Sequence, residues 1–222
     1  MFCSVIPYPK AMTKHQRAKA IVERLEELYP SAECALEYNA EPWKLLVMGI
    51  LSAQCTDKRV NIVCEEMFKH IPTLEAMAEA EVETIESFVK PCGLYKTKAK
   101  NISACCRMII EKHNAELPQT MEELLELPGV GRKIANLLLG DIFRIPSIVT
   151  DTHCIRLSGR MGLCPKGEKN PYKVEKALIP IIPKDKQVDF CHRMVWFGRE
   201  YCTARAPKCD NCPLSDICKK AL

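Results

Sequence analysis

The chain has 222 residues, 47% of them hydrophobic, and a formal net charge of +4. At about 150 residues per domain that gives one large domain or two small ones, with ample apolar material for a core. No run approaches the ~18 uninterrupted apolar residues of a membrane span. The start, Met1 to Pro7, shows neither the basic region nor the long apolar stretch of a signal peptide, so the expected compartment is intracellular.

Charge and cysteine are unevenly distributed. Gly93 to His113 carries five Lys/Arg against one acidic residue, and Lys184 to Leu222 carries eight against five. Two basic regions in a near-neutral chain fit a polyanion partner such as nucleic acid, although solvated helix faces look the same in sequence. Fourteen cysteines are many for this length. In an intracellular chain they speak for metal or redox use rather than disulfides. Ten are scattered, and those inside apolar runs (Cys64, Cys105, Cys106, Cys191) read as small buried hydrophobes.

In chain order, Pro7 and Pro9 keep residues 1–12 irregular. Thr13 can cap a helix from about Lys14 to Leu28, with Ile21, Leu25 and Leu28 on one face. Pro42 opens a helix running to Gln54 that is apolar nearly all round, which predicts a central buried element. Asp57 can cap the next, from about Lys58 to His70. Two short helices follow near Thr73–Ala78 and Ala80–Lys90. The turn Pro91-Cys92-Gly93-Leu94-Tyr95 leads to a long helix from Lys96 to about His113, with Ile102, Cys105, Cys106, Ile109 and Ile110 inward. Thr120 with Glu123 makes a capping box. After a hairpin described below, a helix ends near Phe143, and Pro146 to Thr150 is a short extended connector. Asp151 or Thr152 caps a helix to about Gly159, Pro171 opens one to about Ile181, and a last helix spans about Lys184 to Tyr201 with Val188, Cys191, Val195 and Trp196 spaced for burial. The periodicity is all-α.

Helical periodicity runs through Met121 to Glu126 and resumes at Ile134, so Leu127-Pro128-Gly129-Val130-Gly131-Arg132-Lys133 must turn between two helices. Pro128 stops the first helix, and Gly129 and Gly131 permit positive φ or close approach. The second helix starts with outward N–H groups, a phosphate site, and Lys133 lies in its first turn. Lys133 is either a phosphate-contacting lysine or a nucleophile, its amine pushed toward neutrality by burial and the helix dipole. Asp151, in Val149-Thr150-Asp151-Thr152-His153, either caps the next helix or stabilises positive charge developing opposite it. His153 reads as structural or as a phosphate contact.

Cys202, Cys209, Cys212 and Cys218 have the spacing C-x6-C-x2-C-x5-C. Four thiolates on a short irregular loop suit tetrahedral zinc or an iron–sulfur cluster. A single C-x2-C knuckle, where a zinc ribbon has two, favours iron–sulfur.

These segments, with Leu51-Ser52-Ala53-Gln54-Cys55-Thr56-Asp57 and Gly93-Leu94-Tyr95-Lys96-Thr97-Lys98-Ala99, resemble the endonuclease III family of bifunctional DNA glycosylase/AP lyases from about Lys14 to Cys218. The resemblance implies an all-α fold of two helical domains. One is a helical barrel over 35–145 carrying a helix–hairpin–helix; the other joins 1–34 to 146–222 and bears a [4Fe–4S] cluster on Cys202, Cys209, Cys212 and Cys218. It implies Lys133 as nucleophile and Asp151 as its carboxylate. Gln54 would fill the space of an extruded base, Leu94 would wedge at the opposite strand, and Gly129, Val130, Gly131, Arg132 and His153 would complete the DNA contacts. The partner would be double-stranded DNA with damaged pyrimidines or abasic sites, bound by a monomer in a prokaryotic, nucleoid-containing cytoplasm. Ile134 and Cys55 stand where the family often has smaller residues.

Two rival readings differ in testable ways. An adenine-type mismatch glycosylase would place a carboxylate in the helix leading to Gln54 and lack Lys133; Pro42 to Gln54 contains no Asp or Glu. A non-catalytic iron–sulfur DNA-binding or redox protein would bind duplex and leave a damaged strand uncut.

Overall fold

The computed structural model describes residues 12–220, and every regular element among them is helical. The irregular reading of the N-terminus falls outside the described residues but for its last position. The chain divides into two compact units, Cys34–Ile145 and Met1–Glu33 joined with Pro146–Leu222.

The first unit contains α2 (Pro42–Leu51), α3 (Asp57–His70), α4 (Leu74–Glu79), α5 (Val82–Val89), α6 (Tyr95–His113), α7 (Met121–Glu126) and α8 (Arg132–Asp141). Every residue of α2 from Leu45 to Leu51 is buried, as its all-round apolarity requires. It packs against α3, α6 and α8. Gly49 permits the close approach to α8: a Cβ there would stand 3.0 Å from Ile134 Cγ2. The inner face of α6 is Ile102, Cys105, Cys106 and Ile109, all fully buried, while Ile110 is half-buried.

Several helix ends shift by a few residues from expectation, and one end and two caps do so for reasons seen in their hydrogen bonds. α2 stops at Leu51, not Gln54, because Ser52 Oγ donates to the Gly49 carbonyl at 2.7 Å and the Leu51 and Ala53 carbonyls accept bonds from elsewhere. Thr56, not Asp57, caps α3; it is extended, and its hydroxyl accepts from the Arg59 amide. At Thr120 the capping box is half-made. Its hydroxyl accepts the Glu123 amide, but the Glu123 carboxylate takes that hydroxyl's proton at 2.6 Å instead of the Thr120 backbone N–H. A complete box stands at Thr13 and Gln16, where only the cap was expected.

The second unit packs α1 (Lys14–Leu28), α9 (Thr152–Met161), α10 (Pro171–Leu178) and α11 (Gln187–Glu200) around Ile21, Leu25, Leu157, Phe190 and Phe197. Arginines on α1 tie it to the end of the chain: Arg17 Nε donates to the Ile217 carbonyl at 3.1 Å, and Arg24 to Pro213 and Asp216. The buried face of α11 is Phe190, Cys191, Met194 and Phe197; Trp196, expected inside, is 46% exposed. A 3₁₀ turn over Lys184–Lys186 precedes α11, which therefore starts at Gln187 and not at Lys184. No described helix is long and apolar enough to cross a membrane.

Candidate functional site

The hairpin between α7 and α8 is a tight turn closed by the Val130 amide on the Leu127 carbonyl at 3.0 Å. Pro128 and Gly129 occupy its centre, and Gly129 has φ +81°, the Pro–Gly pattern of a type II turn. The two glycines have different reasons. A Cβ on Gly129 would lie 2.9 Å from Asn101 of α6, so packing and backbone both demand glycine. Gly131 caps α8 at φ −100°, open to any residue, and a Cβ there would meet nothing within 4 Å. Its smallness serves nothing inside the fold; it leaves the α8 N-terminus open to approach. Val130 is buried, so its side chain belongs to the core, and its amide is engaged in closing the turn; this departs from the expectation that it contacts DNA.

Lys133 is exposed in the first turn of α8. This corrects the expectation that the fold buries it; the fold places it, exposed, at a helix N-terminus. Arg132 beside it is half-buried. Burial, then the nearby Asp141 charge, pushes the Cys34 thiol up to about 12, with Lys133 pulling weakly the other way.

Gln54 and Leu94 occupy two surface turns of the same unit. Gln54 follows α2 at φ +54°, and Leu94 immediately precedes α6 at φ +50°. Both are exposed, Leu94 at 58%. Left-handed backbone costs an L-residue roughly 1–2 kcal/mol, so neither conformation is casual. Sequence reading placed Lys98 in a basic surface region. It is instead 4% exposed, and its Nζ donates to the carbonyls of Leu51, Ala53 and Cys92. Burial pulls its amine below the ordinary lysine value.

In the other unit Asp151 caps α9, its Oδ1 accepting the Cys154 amide at 2.7 Å. The cap fixes the carboxylate's orientation. The next turns of α9 carry Arg156 and Arg160, which sequence reading missed. Arg156 donates to the Cys202 and Gly198 carbonyls, and Arg160 to Cys202 Sγ at 3.4 Å and to the Thr203 and Ala204 carbonyls. Their i, i+4 spacing on a helix beginning at Asp151 was the available signal. His153 is half-buried, its Nδ1 3.1 Å from Arg156 Nη2. It packs so closely on Gly198 of α11 that a Cβ there would sit 2.4 Å from Nδ1.

Cys202, Cys209, Cys212 and Cys218 line one pocket, walled by Met161, Phe197 and Leu214. Burial pushes the Cys212 and Cys218 thiols up, and the neighbouring cysteines add to it. Such a set holds four negative sulfurs only around cationic metal. The Arg160 guanidinium and the Lys220 amide, 3.3 Å from Cys218 Sγ, donate to the ligand sulfurs, the hydrogen bonding that tunes iron–sulfur sites.

A family model for the HhH-GPD superfamily of base excision DNA repair proteins matches residues 47–184, spanning both the hairpin and Asp151. A second, for the iron–sulfur binding domain of endonuclease III, matches residues 202–218. Endonuclease III of Synechocystis sp. is 44% identical over 96% of both chains. The chain belongs to the endonuclease III family. Endonuclease III of Bacillus subtilis is 39% identical over 90% of each chain. The solved structure of a trapped endonuclease III–DNA covalent intermediate superposes with a TM-score of 0.88 at 39% identity, covering 95% of this chain and 98% of that one. A [4Fe–4S] cluster on the four tail cysteines, which line one pocket, fits endonuclease III.

Proposed function

We propose that the chain is a bifunctional DNA glycosylase and AP lyase of base excision repair, acting as a monomer on double-stranded DNA with oxidised pyrimidines or abasic sites in a bacterial cytoplasm. The observation that carries this is an exposed amine, Lys133, in the first turn of a helix whose capping glycine leaves the approach open. The 39% identity to an endonuclease III caught covalently on DNA supports it.

Amides at Gly129, Gly131 and the start of α8 hold a phosphate of the damaged strand. Arg132 adds positive charge, and His153 adds a further DNA contact. An oxidised pyrimidine stacks poorly, so its extrusion costs at most a few kcal/mol. Gln54 fills the vacated space, and Leu94 wedges against the opposite strand. The bound duplex, not the fold, then desolvates Lys133. Its amine attacks C1′ while the bond from C1′ to the base breaks and the base leaves with the electron pair. The sugar ring opens to a Schiff base. Loss of a C2′ proton and cleavage of the C3′–O bond release the 3′ strand by β-elimination. The Asp151 carboxylate stabilises the positive charge developing on the sugar. The iron–sulfur cluster, when bound, organises the loop of the tail cysteines.

Borohydride should trap the protein on a thymine-glycol or abasic duplex. A complex that persists undiminished with Lys133→Ala would overturn the nucleophile assignment, and base release undiminished in Asp151→Asn would overturn the second.

A further inference from the structure

The proposed chemistry leaves Lys98 without a role, yet it is the most completely engaged amine in its unit. Its ammonium has three N–H donors. They go to Leu51 at 2.9 Å, Ala53 at 2.7 Å and Cys92 at 2.9 Å. All three acceptors are backbone carbonyls, so the contact fixes the path of the main chain. Leu51 ends α2, and Ala53 immediately precedes Gln54. Cys92 precedes Gly93 and Leu94. One nitrogen therefore holds the two turns within about two hydrogen-bond lengths of each other.

Their backbone bonds do not link them. The Cys55 amide reaches the Ser52 carbonyl at 3.2 Å, and the Gly93 amide reaches that of Lys90 at 3.3 Å; each bond is local to its own turn. Besides Lys98, only the weak hydrogen bond between the Cys55 and Cys92 thiols is seen to cross from one turn to the other among the described residues. Gln54, Gly93 and Leu94 all have positive φ. Unfavourable backbone persists only where its surroundings over-determine it. Being buried, Lys98 cannot itself reach a phosphate.

We propose that Lys98 is a positioning residue that sets the spacing of Gln54 and Leu94, so that the two enter the duplex as a fixed pair. The proposal rests on the reading of Gln54 and Leu94 as the residues that enter DNA. A neutral or shortened side chain would leave carbonyls unpaired and let one turn drift from the other. In single-stranded DNA no opposite strand is wedged and no stack is refilled, so the pair matters less there.

The test compares Lys98→Met and Lys98→Gln with Gln54→Ala and Leu94→Ala in the full chain. One abasic strand is used alone and in a duplex with 2-aminopurine opposite the site. Single-turnover cleavage is read on both, and 2-aminopurine fluorescence reports disturbance of the opposite strand. The expected result is a duplex-to-single-strand rate ratio about 10- to 10²-fold lower in Lys98→Met, the scale of an ångström-sized misplacement, with a smaller loss in Lys98→Gln. The fluorescence rise seen with wild type is lost in parallel. If duplex and single-strand rates fall together, or the fluorescence rise survives, Lys98 is merely structural and the proposal fails. Should Lys98→Met not fold, Lys98→Gln, which keeps two donors, decides by the same ratio. If Gln54→Ala and Leu94→Ala both match wild type on duplex, the reading of those two residues is what fails.

Discussion

The hairpin glycines make separable predictions, because one is required by the fold and the other is not. Gly129→Ala forces an L-residue to φ +81° and sets its Cβ 2.9 Å from both Cβ and Nδ2 of Asn101. The backbone cost is roughly 1–2 kcal/mol, and overpacking adds about 1–3 kcal/mol. At about 2–4 °C per kcal/mol for a chain of this size, the melting temperature should fall by roughly 4–20 °C. Gly131→Ala meets nothing within 4 Å at φ −100°. It should change stability by less than about 1 kcal/mol, because the unfolded chain's lost freedom, about 0.4–1 kcal/mol, offsets glycine's advantage over alanine at an N-cap. Its methyl nevertheless stands where a phosphate would approach the α8 amides. Thermal melts and fluorescence anisotropy on a duplex with an uncleavable abasic analogue separate the two effects. Gly131→Ala should stay within about 1 kcal/mol of wild type in stability and bind at least about tenfold more weakly, the loss of one good charge-assisted hydrogen bond. Wild-type affinity in that variant would refute the assignment of the α8 N-terminus as the phosphate site.

Three further outcomes follow from the second unit. Gly198→Ala should destabilise by about 1–3 kcal/mol, since its Cβ would lie 2.4 Å from His153 Nδ1; His153→Ala in the same chain should recover part of that loss in a denaturant melt. Arg160→Met removes donors to Cys202 Sγ and to the Thr203 and Ala204 carbonyls, so visible absorbance from bound iron should decay faster in air than in wild type, and equal decay would deny Arg160 a part in holding the loop. The hydrogen bond from Lys186 holds the Glu26 carboxyl below its ordinary 4.5, with the Lys186 and Arg193 charges adding to it against burial. A depressed carboxyl contributes stability that is whole above that value and lost as the pH falls through the lowered one. Glu26→Gln should therefore cost under about 1 kcal/mol at neutral pH, as befits a half-exposed pair, and the gap to wild type should close in acid melts below pH 4.5.

Periodicity and punctuation made most helices legible, because an all-apolar α2 or the one-sided α6 has a single way to be buried. The hairpin was legible for the same kind of reason: proline and glycines between two helical stripes leave only a turn. The cysteine tail announced a metal by spacing. Sequence alone could not divide the labour of Gly129 and Gly131, since that depends on where Asn101 lies in space. Nor could it end α2 at Leu51, which follows from carbonyls drawn off by an amine 47 positions away. It assigned Lys98 to a charged surface because charge is the only property a lysine shows in sequence, and it buried Lys133 because reactivity suggested burial. The structure reverses both: it encloses Lys98 among three carbonyls and leaves Lys133 open. The sequence thus determined which helices form, where the chain turns, and which residue types can carry the chemistry. Which of two lysines is enclosed, and which of two glycines is free to meet a ligand, was decided only when segments distant along the chain packed together.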